Sequence, residues 1–195
     1  MYAGKGSIVF VLGGVRSGKS AFACRAAGAA GLPVVFIATA LPVDGEMEAR
    51  IRRHREERPT HWGLVEAPYD ADEGVIKACR QRSVILWDCI TVFVSNLIVA
   101  GEEAGTSHER IERDIMHRME AVLAAVKESD CTLIAVSNEV GLGVVPAHSL
   151  GRRFRDTTGR VNQLFAGFSD EVFFMLAGIP VQIKGAGAGF SPDIL

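Results

Sequence analysis

The sequence predicts a doubly wound α/β fold, in which a mostly parallel sheet lies between layers of helices. Three observations lead to this class. Short apolar runs alternate along the chain with longer segments of helical periodicity. The runs are apolar at consecutive positions, as parallel strands covered by helices on both faces must be. The 195 residues, 48% of them hydrophobic, are enough for one sizeable core but not for two ordinary domains.

Five strands are expected from these apolar runs, whose Val and Ile content favours an extended chain. They are, in order, 7–12, 34–39, 83–88, 132–138 and 171–176. Two shorter segments are candidates for further strands, and the second follows the turn "AGIP" as an antiparallel hairpin. These candidates are 63–67 and 180–184.

Helices are expected between the strands, where apolar residues recur at helical spacing. They are 18–30, 45–57, 70–81, 90–100, 108–128 and 150–167. A polar connection is expected at 101–107, between the fourth and fifth helices. The domain then covers residues 1–184, and the Gly- and Ala-rich end, 185–195, is expected to be a flexible tail.

Charge and composition indicate a small-molecule partner. The chain carries 21 Lys and Arg against 23 Asp and Glu, a formal charge of −2, so it has no general basic field for nucleic acid or an anionic membrane. No apolar run approaches the roughly 20 residues of a membrane span, and the first six residues lack the pattern of a secretory signal. We therefore expect a cytoplasmic protein that binds no nucleic acid and has no integral membrane segment.

The stretch "GGVRSGKS" places Gly13, Gly18, Lys19 and Ser20 at the spacing of a phosphate-binding loop. It directly follows the first predicted strand and opens the first predicted helix, which is the context such a loop requires. Backbone N–H groups would surround the phosphates of a nucleoside triphosphate, Lys19 would reach the outer phosphates as a catalytic residue, and Ser20 would bind Mg²⁺. The fold is therefore expected to be of the P-loop nucleotide-binding type, with contacts from Gly13, Gly14, Val15, Arg16, Ser17, Gly18, Lys19 and Ser20.

Asp88 ends the apolar run "SVILWD", where phosphate-binding loops have their usual acidic companion. It is therefore the second candidate ligand for Mg²⁺ and a candidate catalytic residue. Its alternative role is to cap the helix that starts at "DCIT". A switch-type GTPase is disfavoured, because the guanine-reading motif Asn-Lys-x-Asp is missing from the sequence.

His54 lies in a basic segment, "RIRRHREERP", that is expected to be helical. Arg50 and Arg58 are four residues to either side and share its helical face, where they could neutralise a phosphoryl group. The alternative is a solvated basic face with an incidental histidine. Spacing alone leaves both interpretations open, because no local pattern links His54 to the phosphate-binding loop.

Further segments extend the pattern along the chain: "FIATA" (36–40), "DCITVFVSNL" (88–97), "VSNEVGLGVVP" (136–146) and "RFRDTTGRVNQ" (153–163). In this order, and with "GGVRSGKS" (13–20) and "DGEMEARIRRHREERPTHW" (44–62), they resemble the signature blocks of the bifunctional adenosylcobinamide kinase / adenosylcobinamide-phosphate guanylyltransferase family. The resemblance implies a two-step enzyme of cobalamin nucleotide-loop assembly. A nucleoside triphosphate, ATP or GTP, phosphorylates the aminopropanol hydroxyl of adenosylcobinamide. GTP then donates GMP to that phosphate, which gives adenosylcobinamide-GDP and pyrophosphate.

In this family the GMP travels on a histidine as a phosphoramidate, and the matching position is His54. The resemblance also implies a homotrimer and nucleotide contacts from three places, namely Ala38, Thr39 and Ala40; Arg55, Glu56, Glu57 and Arg58; and Glu66 and Asp88. Two positions depart from the family pattern. Arg53 precedes His54 where some members have a second histidine, and Asp88 stands where a longer glutamate can occur.

Two other functions also fit a phosphate-binding loop. A small-molecule kinase without nucleotidyl transfer would need no histidine, and a nucleotide-dependent switch would hydrolyse its nucleotide slowly without an acceptor. The segment "NEVGLGVVP" (138–146) is expected to form a loop at the same edge of the sheet. There Glu139 could bind substrate or act as a base for the hydroxyl, or the segment could be only a tight connection.

Overall fold

A mixed sheet of eight strands forms the centre of the computed structural model, which describes residues 6–56, 58–186 and 189–190. The strands are β1 (Ser7–Gly13), β2 (Val34–Ala38), β3 (Gly63–Glu66), β4 (Val84–Asp88), β5 (Thr132–Val136), β6 (Glu171–Leu176), β7 (Ile179–Lys184) and β8 (Gly189–Phe190). Their order across the sheet is β3-β2-β4-β5-β1-β6-β7-β8. The strands from β3 to β6 in this order are parallel, whereas β7 and β8 are antiparallel to their neighbours.

Helices connect the parallel strands and cover both faces of the sheet. They are α1 (Lys19–Ala29), α2 (Gly45–Glu56), α3 (Ala71–Ala78), α4 (Ile90–Glu103), α5 (His108–Lys127) and α6 (Ser149–Phe168). On one face, Phe22 of α1 packs against Phe173 of β6, with ring centroids 5.0 Å apart. On the other face, Trp87 of β4 packs against Phe93 of α4 at 5.4 Å, within a core that also includes α3, α5 and α6. The central strands are therefore buried on both faces, which is why their sequences are apolar at consecutive positions.

The expected fold class is confirmed, including the antiparallel hairpin of β6 and β7. Every predicted strand and helix is present, both candidate strands included, and each end lies within three residues of its expected position. For the central strands the agreement follows from their apolar runs, because a strand buried on both faces has an unusually clear sequence pattern.

The polar connection expected at 101–107 is wrong in its first part, because α4 continues to Glu103. Gly101 lies where α4 approaches α5, and a Cβ atom there would stand 2.6 Å from Ile111. The helix therefore continues through a glycine that allows close packing, although glycine is a poor helix former in isolation. The chain turns only after Ala104, and Thr106 N then donates to Gly101 O at 2.9 Å.

The expected tail at 185–195 is partly strand. Gly189–Phe190 forms β8, which pairs antiparallel with Val181 and Gln182 of β7. Residues 187–188 and 191–195 lie outside the described residues, so the flexibility expected of this segment remains a prediction.

The carboxyl ends of the parallel strands bring several loops to one edge of the sheet. Strand β1 lies between β5 and β6, and the loops that follow β1 and β5 are neighbours there. In open α/β sheets this edge is where ligands bind.

Candidate active site

The phosphate-binding loop joins β1 to α1, as the sequence predicts. Gly13 has φ 148°, and a Cβ atom there would stand 2.7 Å from the carbonyl oxygen of Met175. Gly18 has φ 92°, and a Cβ atom there would stand 3.2 Å from Gly178 Cα. Both glycines are therefore required by the backbone, the first because another strand passes too close for a side chain.

Neighbouring loops hold this loop in place through backbone hydrogen bonds. Glu139 N donates to Gly13 O at 3.1 Å, and Gly178 N donates to Ser17 O at 3.0 Å. The first bond comes from the segment after β5 and the second from the turn between β6 and β7. The loop is thus fixed from both sides, which leaves its inner N–H groups pre-arranged for an anion.

Lys19 is directed into the loop and is almost fully buried, with 6% of its surface exposed. Its Nζ donates to Gly14 O at 2.5 Å. Ser17 Oγ is also buried and has no hydrogen-bond partner among the described residues. A buried ammonium group and the positive N-terminal end of α1 together make this the strongest candidate anion site at the edge.

Ser20 and Asp88 were predicted as ligands for Mg²⁺. Ser20 lies half-buried in the first turn of α1, and Asp88 lies half-buried at the end of β4. The ends of β4 and β1 are separated by β5, which corresponds to about 10 Å at the usual strand spacing. Within the described ranges no three His, Cys, Asp or Glu residues come together as a metal site. A hydroxyl and one carboxylate are nevertheless the donors that suit Mg²⁺ bound mainly by nucleotide phosphates and water.

Ala38, Glu66 and Asp88 lie side by side at the carboxyl ends of three adjacent strands. In the sheet register Ala38 is paired with Glu66 on one side and with Asp88 on the other. The sequence did not indicate this arrangement without the family resemblance, because the three residues are far apart along the chain. The structure brings two carboxylates to the ends of strands that flank β2.

Two arginines near His54 contact this part of the sheet. Arg55 forms an ion pair with Glu66, and the guanidinium of Arg58 lies 4.3 Å from the ring centroid of Phe36 in β2. Burial and then the neighbouring Arg55 lower the pKa of Arg58, against the opposite effects of Cys24, Glu66 and Asp88. The arginine therefore lies within electrostatic range of both carboxylates at this edge.

Thr39 has a fully buried side chain that holds the chain after β4. Its hydroxyl accepts a hydrogen bond from Cys89 N at 3.0 Å and donates to Cys89 O at 2.9 Å. Asn96 of α4 donates to Thr39 O and to Pro68 O, each at 2.9 Å. Thr39 was expected to contact nucleotide, but its side chain has a structural partner, and Asn96 is a supporting residue that sequence reasoning missed. An amide within the mainly apolar first turns of α4 was the available signal.

His54 lies half-buried on α2, one residue before Arg55, whose side chain pairs with Glu66 at the end of β3. Four strand spacings separate the ends of β3 and β1, or about 19 Å. No hydrogen bond or ion pair joins His54 to the phosphate-binding loop within the part of the chain that the structure describes. Glu56 is exposed, Glu57 lies outside the described residues, and Ala40 is half-buried just beyond β2.

The loop after β5 contributes Glu139, which is half-buried beside the phosphate-binding loop. Its Oε1 accepts a hydrogen bond from Gly141 N at 2.5 Å, while its own N–H is bonded to Gly13. Beyond it, Leu142 and Val144 are 82% and 94% exposed. The structure thus brings Glu139 to the phosphate-binding loop, and it places Arg55 and Arg58, which flank His54 along the chain, near the carboxylates of β3 and β4.

Among the residues described, none of the helices has the length and apolar character needed to cross a membrane.

Comparisons with solved structures agree with this architecture. An ATPase from the type III secretion system of pathogenic bacteria superposes with a TM-score of 0.58 at 11% identity, covering 88% of this chain and 51% of that chain. A protein of Pyrococcus horikoshii OT3 superposes with a TM-score of 0.57 at 10% identity, covering 96% of this chain and 93% of that chain. At such low identity these matches concern the fold alone.

Comparisons of sequence are more specific. The chain is 38% identical over 181 residues to the bifunctional adenosylcobalamin biosynthesis protein CobU of Escherichia coli (strain K12), covering 91% of this chain and 99% of the relative. It is 39% identical over 175 residues to the bifunctional adenosylcobalamin biosynthesis protein CobP of Pseudomonas aeruginosa, covering 90% of this chain and 96% of that protein. The pattern of the family described as cobinamide kinase / cobinamide phosphate guanyltransferase matches residues 9–183. The chain therefore belongs to the cobinamide kinase / cobinamide phosphate guanyltransferase family.

Proposed function

We propose that this protein phosphorylates the aminopropanol hydroxyl of adenosylcobinamide with ATP or GTP, and then transfers GMP from GTP to that phosphate through a covalent adduct on His54. The products are adenosylcobinamide-GDP and pyrophosphate. One observation carries the proposal beyond family membership. The phosphate-binding loop follows β1, and Arg55 of the histidine-bearing helix α2 pairs with Glu66 at the end of β3, so both lie at the carboxyl edge of the parallel strands.

In the kinase step, the hydroxyl oxygen of adenosylcobinamide attacks the γ phosphorus, and the bond to the β-phosphate oxygen breaks. Lys19 and the loop N–H groups hold the outer phosphates and stabilise the charge that develops on them. The hydroxyl proton passes to a base, for which Glu139 is our candidate. Its backbone bond to Gly13 supports this choice, because that bond ties it to the loop that would hold the nucleotide.

Ser20 and Asp88 are the residues that we propose to hold Mg²⁺. When bound, the ion would neutralise part of the charge of the nucleotide phosphates. The hydroxyl of Ser20 lies at the N-terminus of α1 and the carboxylate of Asp88 at the end of β4, so both belong to the edge where the phosphates would lie.

In the nucleotidyl step, an imidazole nitrogen of His54 attacks the α phosphorus, and the bond to the β-phosphate oxygen breaks. Pyrophosphate leaves, and a phosphate oxygen of adenosylcobinamide phosphate then attacks the same phosphorus and releases His54. Arg55 and Arg58 would neutralise the phosphoryl group while it is attached. Dividing the transfer into two displacements is the usual reason for a covalent intermediate.

This chemistry requires α2 to approach the phosphate-binding loop. Every α2 side chain that the structure describes is at least partly exposed, so the helix has little buried surface to hold it. Its described contacts with the sheet include the exposed ion pair of Arg55 with Glu66, and Arg58 just beyond the helix stacks on Phe36. Such attachments are weak enough to break when a ligand offers better ones.

The test is covalent labelling with GTP that carries its label on the α phosphorus. Protein incubated with Mg²⁺ and this GTP, and then denatured, should retain label that is stable to base and released by acid. His54→Ala should retain none, whereas His61→Ala, which changes an exposed histidine seven residues further along, should label like the wild type. Label that persists in His54→Ala would contradict the assignment of the nucleophile.

A small-molecule kinase without nucleotidyl transfer is the second candidate. It is favoured by the position of His54, whose neighbour Arg55 is paired at the end of β3 rather than near β1. In that case the wild type would phosphorylate adenosylcobinamide and bind GTP, but no label would remain on the denatured protein. The same experiment therefore separates the two candidates.

We also propose that the protein is a homotrimer that takes adenosylcobinamide and its phosphate as partners, as the family resemblance implies. The exposed apolar side chains of Leu142, Val144 and Val145 would be suited to a protein contact. Light scattering on the purified protein would give the mass directly, and a monomer mass at micromolar concentration would contradict the trimer.

A further inference from the structure

Three polar side chains from different elements meet beneath the loop that follows β5. Thr91 belongs to α4, Ser137 follows β5, and Asn162 belongs to α6. Their exposed fractions are 4%, 0% and 5% respectively. Polar groups at this depth are costly unless they are hydrogen-bonded, so their partners should be accounted for completely. We call these three residues the polar ring.

The hydrogen bonds of the polar ring have one consistent direction. Ser137 Oγ donates to Asn162 Oδ1 at 2.7 Å, because an amide oxygen can only accept. The Thr91 hydroxyl, 2.9 Å from Ser137 Oγ, must then donate to it. Thr91 Oγ1 in turn accepts from Asn138 N at 2.6 Å, and Asn162 Nδ2 donates to Asn138 O at 3.1 Å.

The ring therefore closes on the backbone of one residue, Asn138. Both its N–H and its carbonyl are held by side chains from α4 and α6 rather than by a neighbouring strand. The next N–H along the chain, that of Glu139, donates to Gly13 O at 3.1 Å. The polar ring is thus one residue away from the bond that joins the loop after β5 to the phosphate-binding loop.

We propose that Thr91, Ser137 and Asn162 are positioning residues that hold Glu139 against Gly13. They would thereby align Glu139, the candidate base for the acceptor hydroxyl, with the nucleotide phosphates in the phosphate-binding loop. This inference rests on the proposed kinase step, in which Glu139 is the candidate base. The three side chains act through the Asn138 backbone and touch no reacting atom. Loss of the Thr91 hydroxyl leaves the N–H of Asn138 without its partner and so frees the segment to shift.

Thr91→Val and Thr91→Ser form the matched pair that tests this role. Valine keeps the shape and removes the hydroxyl, whereas serine keeps the hydroxyl and removes a methyl group. Because small misplacements at a reacting centre are costly, Thr91→Val should lower kcat for ATP-dependent phosphorylation of adenosylcobinamide at least about tenfold. KM for the nucleotide should change little, and Thr91→Ser should restore most of kcat.

A second variant tests whether the ring acts as a unit. Asn162→Ala removes the opposite side of the ring, on α6, and should reduce kcat by a similar factor. The double variant Thr91→Val with Asn162→Ala should be no slower than the slower single variant, because the effects of substitutions within one hydrogen-bond network are not additive. Multiplied losses in the double variant would overturn the proposal. If Thr91→Val does not fold, Ser137→Ala makes the same comparison, because it removes the hydroxyl between the other two side chains.

Amide hydrogen exchange gives a readout that needs no substrate. The Glu139 N–H, protected by its bond to Gly13 O, should exchange faster in Thr91→Val but not in Thr91→Ser. If wild-type protein does not phosphorylate adenosylcobinamide while this difference is present, the proposed function fails and the positioning of Glu139 stands. If Thr91→Val lowers only the unfolding temperature and leaves both kcat and this amide unchanged, the polar ring is merely structural and the inference is overturned.

Discussion

Arg55 of α2 forms an ion pair with Glu66, the last residue of the edge strand β3, and both side chains remain more than half exposed, at 56% and 58%. Within the described residues, this pair is one of the contacts between the histidine-bearing helix and the sheet. An exposed pair of this kind contributes at most about 1 kcal/mol, because water and salt screen it. This ion pair therefore restrains the helix only weakly.

The first prediction concerns this link. Glu66→Gln should lower the free energy of unfolding by less than about 1 kcal/mol, while the amides of α2 exchange faster with solvent. Urea denaturation and hydrogen exchange measure the two effects separately. Asp114→Asn, which removes an exposed ion pair with Arg110 on α5, is the control and should leave α2 unchanged. Unchanged exchange in α2 would mean that other contacts hold the helix.

The second prediction concerns the backbone of the phosphate-binding loop. Gly13→Ala should lower the free energy of unfolding by about 1–3 kcal/mol and weaken nucleotide binding, because Gly13 has φ 148° and its Cβ would meet the Met175 carbonyl at 2.7 Å. The neighbouring Gly14→Ala is a matched control, since a Cβ at Gly14 has no atom within 4 Å. Urea denaturation and nucleotide titration of both variants provide the measurement. Equal stability of the two would contradict the steric argument.

The features predicted best from the sequence are those determined by residues adjacent along the chain. The phosphate-binding loop is a motif of eight consecutive residues between a strand and a helix, so its position and residues could be read directly. The buried strands were equally clear, because both of their faces are apolar. The continuation of α4 through Gly101 was missed, because it depends on the contact with Ile111 on another helix.

Long-range hydrogen bonds account for most of what the sequence did not predict. Thr39 and Cys89 are fifty residues apart, and the hydroxyl of Thr39 is directed inward only because β2 and β4 are neighbours. Asn162 and Ser137 meet because α6 packs against the end of β5. No local pattern contains such partners, so a polar residue could be identified as a candidate without its role being known.

The third prediction is a dependence of stability on pH. Partial burial acts to raise the pKa of Asp170, but hydrogen bonds from Lys127 Nζ and Ile8 N favour the charged form and bring the pKa below its usual value of 3.8. A carboxyl with a lowered pKa in the folded state adds stability at neutral pH, and this contribution is lost as pH falls through the folded pKa. Asp170→Asn should therefore be less stable than wild type at pH 7.

The difference in unfolding free energy between wild type and Asp170→Asn should shrink as the pH is lowered below about 5. Urea denaturation at a series of pH values measures it. Asp130→Asn, which changes an exposed aspartate just before β5, is the control and should show no comparable difference. A constant difference at all pH values would indicate that the loss arises from geometry rather than charge.

The fourth prediction concerns Lys19, whose ammonium group lies within the phosphate-binding loop and bonds to Gly14 O. Lys19→Met keeps the length of the side chain and removes the charge, so it should lower kcat for phosphorylation of adenosylcobinamide at least about a hundredfold. Labelling of His54 by GTP should fall in parallel, because both reactions would use the same loop for the outer phosphates. Lys77→Met, at an exposed position on α3, should retain wild-type rates. If Lys19→Met loses phosphorylation but keeps labelling, the two steps use different phosphate sites. The proposal that both reactions use the same phosphate-binding loop would then be wrong.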